Sequence, residues 1–315
     1  MQHMETMRIR RLPRIAVLLI LIAGTALLSQ EAPQLFVVRT VIWAIGNGGG
    51  CTLAECVNEI SASLLEKAGS IRAQSTLIAT HQDLVLWNTP YGRFWTPKAN
   101  ALFFDLAEQS IDVYQSKAGG IHRGDIVLDC GANVGTFTRT ALNEGASLVV
   151  AFDIDPRNIR SLNATFSKEI EAGNVIVVPK GVWHQDDTLE AKFYSNTNLN
   201  TLTMAARVET DEKPQIVKVP LTTIDSVVEQ LALPRVDYIK MDVEGAEAAA
   251  LRGARKTIER FRPRMSIAVE NEPEDIEIIP ALVRSFRVRY SEVPGAWRRI
   301  RPWIIRPEAI TFVRR

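Results

Sequence analysis

Cysteine is scarce in this sequence: Cys51, Cys56 and Cys130 are its whole complement among 315 residues. Three thiols make neither a disulfide framework nor a four-ligand zinc site, and no metal is implied. A surplus of one charge is also missing. With 37 Lys and Arg against 36 Asp and Glu, the formal net charge is +1, so no global field draws the chain toward nucleic acid or a membrane, and any such attraction has to be local. Internal repeats are absent, and low complexity is confined to GNGGG at 46–50. The length still allows one full α/β core plus an extra segment, since domains usually hold roughly 100 to 200 residues.

What is present divides into three parts. In residues 1–50, Arg8, Arg10, Arg11 and Arg14 precede an apolar run at 15–28, and a second run follows at 35–45. Each run is shorter than the roughly 20 residues that span a bilayer. A signal-peptide core, a shallow anchor and a spanning helix are open readings, and a buried helix of the soluble domain is the blander one. The glycines at 46–50 form a hinge. Residues 51–119 read as a cap, with helical spacing at 55–71 and strand and turn material at 84–95 (LVLWNTPYGRFW). Residues 120–315 form the main domain.

From Gly124 onward, apolar runs at 126–129, 148–154, 175–178, 238–243 and 265–270 are each followed by a helical stretch. That alternation predicts a parallel sheet built from βαβ units. Pro156 opens a helix over 156–171 that Gly173 ends, and Gly245 opens an alanine-rich helix to 261, before Pro263. Segments 191–195 and 216–220 pair as a hairpin ahead of a helix at 223–231. Segments 288–293 and 309–315, parted by Pro294 and Gly295, predict an antiparallel hairpin on the sheet edge. Cys130, within a core strand, reads as a small buried hydrophobe.

The chemistry concentrates in IVLDCGANVGTFT at 126–138. A buried strand ends in Asp129, turns through Gly131 and Gly135 and enters a helix, which makes a nucleotide-type cradle. Gly131 permits close backbone approach to a ligand, Gly135 permits tight packing of helix on strand, and Asn133 tolerates a left-handed turn. A dinucleotide fingerprint would read G-x-G-x-x-G, whereas these glycines are three residues apart. Asp153 and Asp155 end the next strand in VVAFDIDP, about twenty residues on, where a carboxylate accepts hydrogen bonds from both ribose hydroxyls. Asp155 is assigned to capping the helix at Pro156.

Together DCGANVG (129–135), AFDIDP (151–156), DYIKMDVEGAEAAALRGA (237–254) and RPRMSIAVE (262–270) resemble the FkbM family of S-adenosylmethionine (SAM) dependent methyltransferases, over roughly residues 125–270. VPLTTIDSVV at 219–228 looks like the family's segment before the fourth strand. The resemblance implies a class I SAM-methyltransferase fold, a Rossmann-like α/β parallel sheet, with SAM as cofactor. It implies that Gly131, Asn133 and Gly135 line the methionine part of SAM, with Asp129 under its amino group, Asp153 at the ribose, and Gly181 and Val182 near the adenine. The chain departs from the family's commonest wording at Asp153 and Ile154, where Glu followed by Pro is usual; Asp is one methylene shorter.

Methyl transfer needs alignment of nucleophile, methyl and sulfur and exclusion of water. For a hydroxyl acceptor, as in characterised relatives, a base also takes a proton. Asp242, at the carboxyl end of the fourth strand, is the first candidate to contact the acceptor, and Glu270, at the end of the fifth, is the second. Glu244 and Glu247 are also read as favouring the next helix N-terminus, and Lys240 as pairing with a nearby acid. The asparagine segment at 196–200 (NTNLN) reads as a turn. Arg287, Arg289, Arg298, Arg299, Arg301 and Arg306, beside Trp297 and Trp303, make either a surface for anionic lipid or phosphate, or a solvated hairpin edge.

The expected acceptor is a small molecule, a glycan or a lipid-linked compound, and no nucleic acid. Four N-terminal arginines favour a cytoplasmic amino terminus, so one spanning helix would part the domain from cytosolic SAM. Membrane association through residues 15–45 with the domain facing the cytosol reconciles the two; a cytoplasmic or exported protein is the alternative. Rival functions are a membrane-tethered SAM-binding module without catalysis and a nicotinamide-dependent oxidoreductase.

Overall fold

Strands that are apolar on both faces have to be covered on both sides, and a parallel sheet between helix layers does that. The computed structural model describes residues 64–98, 100–114, 119–193, 215–295, 297–301 and 304–315. The apolar runs at 15–28 and 35–45, the hinge, Cys51, Cys56 and the asparagine segment lie outside the described residues, as do the side chains of 297–306 with their arginines and tryptophans.

The described chain opens with helix α1 (Leu64–Ala73), strands β1 (Thr76–His81), β2 (Leu84–Thr89) and β3 (Gly92–Pro97), and helix α2 (Leu102–Gln109). The three strands form an antiparallel meander, of which β1 and α2 went unpredicted. Next come β4 (Ile126–Cys130), α3 (Thr136–Asn143), β5 (Leu148–Phe152), α4 (Pro156–Thr165), α5 (Ser167–Glu171) and β6 (Val175–Val178). A small sheet of β7 (Gly181–Val182), β8 (Asp187–Phe193) and β9 (Gln215–Thr222) follows, then α6 (Ile224–Gln230). The chain ends with β10 (Tyr238–Met241), α7 (Glu247–Arg252), α8 (Arg255–Phe261), β11 (Arg264–Ala268), α9 (Asp275–Arg284), β12 (Tyr290–Pro294), β13 (Trp297–Arg301), β14 (Ile304–Pro307) and β15 (Ala309–Arg314).

Seven strands form the main sheet in the order β12-β15-β11-β10-β4-β5-β6. All run parallel except β15, which is antiparallel to both neighbours. This is the class I methyltransferase sheet with its C-terminal antiparallel hairpin. Leu128, Val150, Ile239 and Ile267 lie fully buried at its centre, and Cys130 is buried with them.

Two predicted helices are broken, and each break serves packing. The helix expected over 156–171 interrupts at Phe166, whose buried ring lies where a Cβ on Gly135 would come within 2.3 Å. The alanine-rich helix starts at Glu247 and parts at Gly253, where a Cβ would sit 2.0 Å from the Trp183 carbonyl oxygen. Residues Leu64–Arg315 form one compact unit. Among the described residues no helix is long and apolar enough to cross a membrane, and no cluster of His, Cys, Asp or Glu could hold a metal.

Candidate active site

Strand register brings the site together. Cys130 pairs with Phe152 on one side and Met241 on the other, so the next residues, Gly131, Asp153 and Asp242, leave the sheet side by side at its carboxyl edge. Chain order reverses between β4 and β10, and ligands of open α/β sheets bind at such a switch point. Gly131 has φ +80°, and a Cβ there would sit 1.8 Å from the Asp242 carbonyl oxygen. Its close approach is thus to protein backbone as well as to the cleft.

Asn133 adopts the left-handed turn that its type favours, at φ 51°. Its backbone N donates to Asp153 Oδ2 at 2.8 Å, and its Nδ2 donates to Asp105 Oδ2 at 2.9 Å. Asp153 Oδ1 accepts from the Asp155 backbone N at 2.8 Å. Burial pushes the Asp153 carboxyl up to about 7, against these hydrogen bonds. Asp155 caps α4 by accepting from the Arg157 backbone N at 2.7 Å.

Asp129 is fully buried beneath the cleft and does not line it. Its Oδ2 accepts from Thr138 Oγ1 at 2.6 Å, and its Oδ1 lies 3.5 Å from Lys240 Nζ, opposite it in the β10–β4 register. Lys240 also donates to the Gly131 carbonyl at 2.7 Å. Burial works against its charge, but Asp129 and Asp242 outweigh that and raise its pKa.

The loop after β10 turns through Glu244 at φ 55° and Gly245 at φ 93°. Glu247, fully buried, pins that loop by accepting from the backbone N of Val243 at 2.8 Å and of Gly245 at 3.0 Å, and from Asn271 Nδ2 at 2.8 Å. Burial, then the charge of Asp242, pushes Glu247 up to about 7. Burial, then Asp242, Glu247 and Glu270, pushes Glu244 up to about 8.

A cleft opens here, lined by Gly131, Asn133, Asp153, Gly181, Val182 and Asp242 from the predicted set, with Val243 and Glu244 beside them. Gly135 stands behind it at the start of α3 and packs against Phe166, a helix contact where packing on a strand was expected. Glu270 follows the end of β11 and does not line the cleft, though its charge reaches Tyr114 and Glu244. Two residues escaped the sequence reading. Asp105 of α2 is pushed up to about 7 by burial and by Asp242, and Tyr114 donates its hydroxyl to Asp242 Oδ2 at 2.9 Å.

Residues 129–290 match the model of the methyltransferase FkbM domain, just over half of the chain. The chain belongs to the FkbM methyltransferase family. It is therefore a SAM-dependent methyltransferase. No curated protein matches it. Similar solved structures include methyltransferase FkbM from Methylobacillus flagellatus KT, 13% identical with a TM-score of 0.44, covering 93% of this chain and 76% of that one. SMU.1697c from Streptococcus mutans, in complex with S-adenosylhomocysteine (SAH), is 14% identical with a TM-score of 0.38, covering 65% of this chain and 97% of that one. An rRNA methylase from Streptococcus thermophilus is 13% identical with a TM-score of 0.37, covering 62% of this chain and 89% of that one. In this FkbM protein the match begins at Asp129, so Asp105 and Tyr114 hold site residues from upstream of it.

Proposed function

We propose that this cleft binds SAM and that the enzyme methylates a hydroxyl of a small molecule, glycan or lipid-linked acceptor. The observation that carries the reading is the Asp153 carboxylate, held at the sheet edge beside the Gly131 bend with Asp242 across the switch point. The residues present fit such a ligand. The carboxylate at Asp153 borders the cleft and retains lone pairs for ribose hydroxyls. Gly181 and Val182 flank the adenine side, and Gly131 and Asn133 the methionine side. Asp129 would then act from beneath the site, holding Lys240 and the glycine bend.

Held by Gly131, Asn133 and Asp153, SAM would supply a sulfonium methyl group for transfer to the acceptor oxygen, the C–S bonding pair leaving with sulfur. Asp242 is assigned the acceptor proton. Its Oδ2 accepts from the Tyr114 hydroxyl, and its Oδ1 retains lone pairs for the acceptor's proton. Glu270 is the second candidate for that duty. Burial and the neighbouring carboxylates favour the protonated form of Glu244 at the cleft wall.

Calorimetric titration with SAM, SAH and NAD tests the cofactor, and a mass-shift screen of hydroxyl compounds tests the acceptor class. Binding of NAD alone overturns the first, and methyl transfer solely to nitrogen or carbon overturns the second. Membrane association is supported by the two apolar runs behind the N-terminal arginines. Protease protection in intact spheroplasts tests it, and a catalytic domain digested by added protease rules out the cytosolic orientation.

A further inference from the structure

Exposed apolar side chains gather at the start of the described chain. Leu65 on α1 is 74% exposed, and Leu77 and Ile78 on β1 are 52% and 48% exposed. β1 is exposed at every position but Ala79, pairs among the described residues with β2 alone, and carries a β-bulge that leaves Ile78 with no opposite residue. α1 lies along the same meander: the Arg72 guanidinium stands 5.6 Å over the Trp87 ring, and Trp87 is the strand partner of Leu77. Single exposed leucines are ordinary, but apolar side chains grouped on adjoining elements mark a contact surface. Cations and aromatic rings accompany these. From Leu64 to Lys98 stand Lys67, Arg72, Arg93 and Lys98 against Glu66 and Asp83, and Asp83 pairs with Arg160. Trp87, Tyr91 and Trp95 are half-buried.

We propose that the α1–β1 face rests on the surface of a membrane that contains anionic lipid. The mixture of side chains suits that boundary, where apolar groups insert, Trp and Tyr sit at the headgroups and cations meet lipid phosphates. A second copy docked by the same face would set these cations against their own kind. The chain ahead of Leu64 points to lipid as well. Eighteen residues separate the apolar run at 35–45 from Leu64, a tether of at most about 60 Å when fully extended. Any hold of that run on a bilayer keeps the face at high effective concentration beside lipid. The face is also fixed to the catalytic unit. The Trp95 backbone N donates to Thr165 Oγ1 of α4 at 2.9 Å, Arg160 of α4 pairs with Asp83 beyond β1, and α2 holds Asn133 at the cleft through Asp105. Contact at α1 and β1 therefore sets the orientation of the cleft to the bilayer. The membrane association proposed above rests on residues 15–45, whereas this contact belongs to the folded unit and stands or falls separately.

The test is hydrogen exchange of the full chain, read by mass spectrometry, with and without vesicles of about one part phosphatidylglycerol to three of phosphatidylcholine. The vesicles are expected to slow exchange across residues 64–81 about fivefold or more. Combining Leu65→Ser, Leu77→Ser and Ile78→Ser should abolish that slowing and leave any slowing at 15–45 in place. Exchange at 126–130 checks that this variant is folded, and the wild-type comparison decides the matter where it is not. Slowing confined to 15–45 overturns the proposal and leaves the anchor standing. Slowing at 64–81 that survives the triple substitution, or that phosphatidylcholine alone produces equally, also overturns it. So does slowing without vesicles that grows with protein concentration alongside a doubled mass in light scattering, which assigns the face to a second copy.

Discussion

Tyr114 donates its hydroxyl to Asp242 Oδ2 at 2.9 Å, and its ring lies 5.3 Å from Lys240 Nζ. One side chain from ahead of the sheet thus touches the proposed proton acceptor and the buried lysine under the glycine bend. Tyr114→Phe keeps the ring over Lys240 and removes the donor from Asp242. Hydrogen bonds to charged groups contribute about 1.5–3 kcal/mol, and Asp242 is open enough for water to replace part of that. The variant is expected to lose about 1–2 kcal/mol in urea unfolding. An unchanged midpoint would show that this bond adds nothing to the fold.

Gly131→Ala and Gly173→Ala make a matched pair. Their φ values are +80° and +78°, so the left-handed strain of alanine, about 1–2 kcal/mol, is common to both. They differ in surroundings: a Cβ on Gly173 meets nothing within 4 Å, whereas one on Gly131 meets the Asp242 carbonyl oxygen at 1.8 Å. Thermal melting of Gly173→Ala should show the strain alone, while Gly131→Ala should lose more stability and its SAH binding. Equal melting shifts would mean that the two loops are not in contact.

The glycine bend was legible because its geometry is local. Strand, acid, Gly131, Asn133 and Gly135 follow one another in sequence, and the registers of β4, β5 and β10 bring Gly131, Asp153 and Asp242 to one edge. Asp105 and Tyr114 were not legible, since their partners lie 28 and 128 residues away and depend on how α2 and the turn after it lie against the sheet. The helix breaks at Phe166 and Gly253 escaped for the same reason. Their causes, the ring against Gly135 and the carbonyl of Trp183, are tertiary contacts that override a good helical pattern. The helical stretch expected after the run at 265–270 is present as α9, with Pro280 inside it.

Asp129 and Lys240 form a buried pair, 3.5 Å apart, with side-chain exposures of 0% and 5%. Lys240→Met strands a carboxylate without its counter-charge, and breaking such a pair costs about 3–5 kcal/mol. Adding Asp129→Asn removes the stranded charge and should recover part of the loss. Recovery stays incomplete because the bond from Lys240 to the Gly131 carbonyl is gone in both. Urea unfolding of the two single variants and the double measures the coupling, and simple additivity would mean that the pair does not interact.

Asp153 titrates far from its ordinary value of 3.8, at about 7, with burial as the main cause. A carboxyl raised in the folded state stabilises the fold fully below 3.8, and that contribution is lost as pH rises to about 7. Asp105, Glu244 and Glu247 are raised in the same sense, so the ligand-free protein should lose stability across this range. Ligand binding runs the opposite way. Ribose hydroxyls donate to the ionised form of Asp153, so binding expels its proton, and SAH affinity should rise by up to about tenfold per pH unit below 7 and level off above. Calorimetry in buffers of different ionisation enthalpy counts the protons released near pH 6. Asp153→Asn should lower both that count and the slope of affinity with pH, and an unchanged slope would remove Asp153 from the ribose.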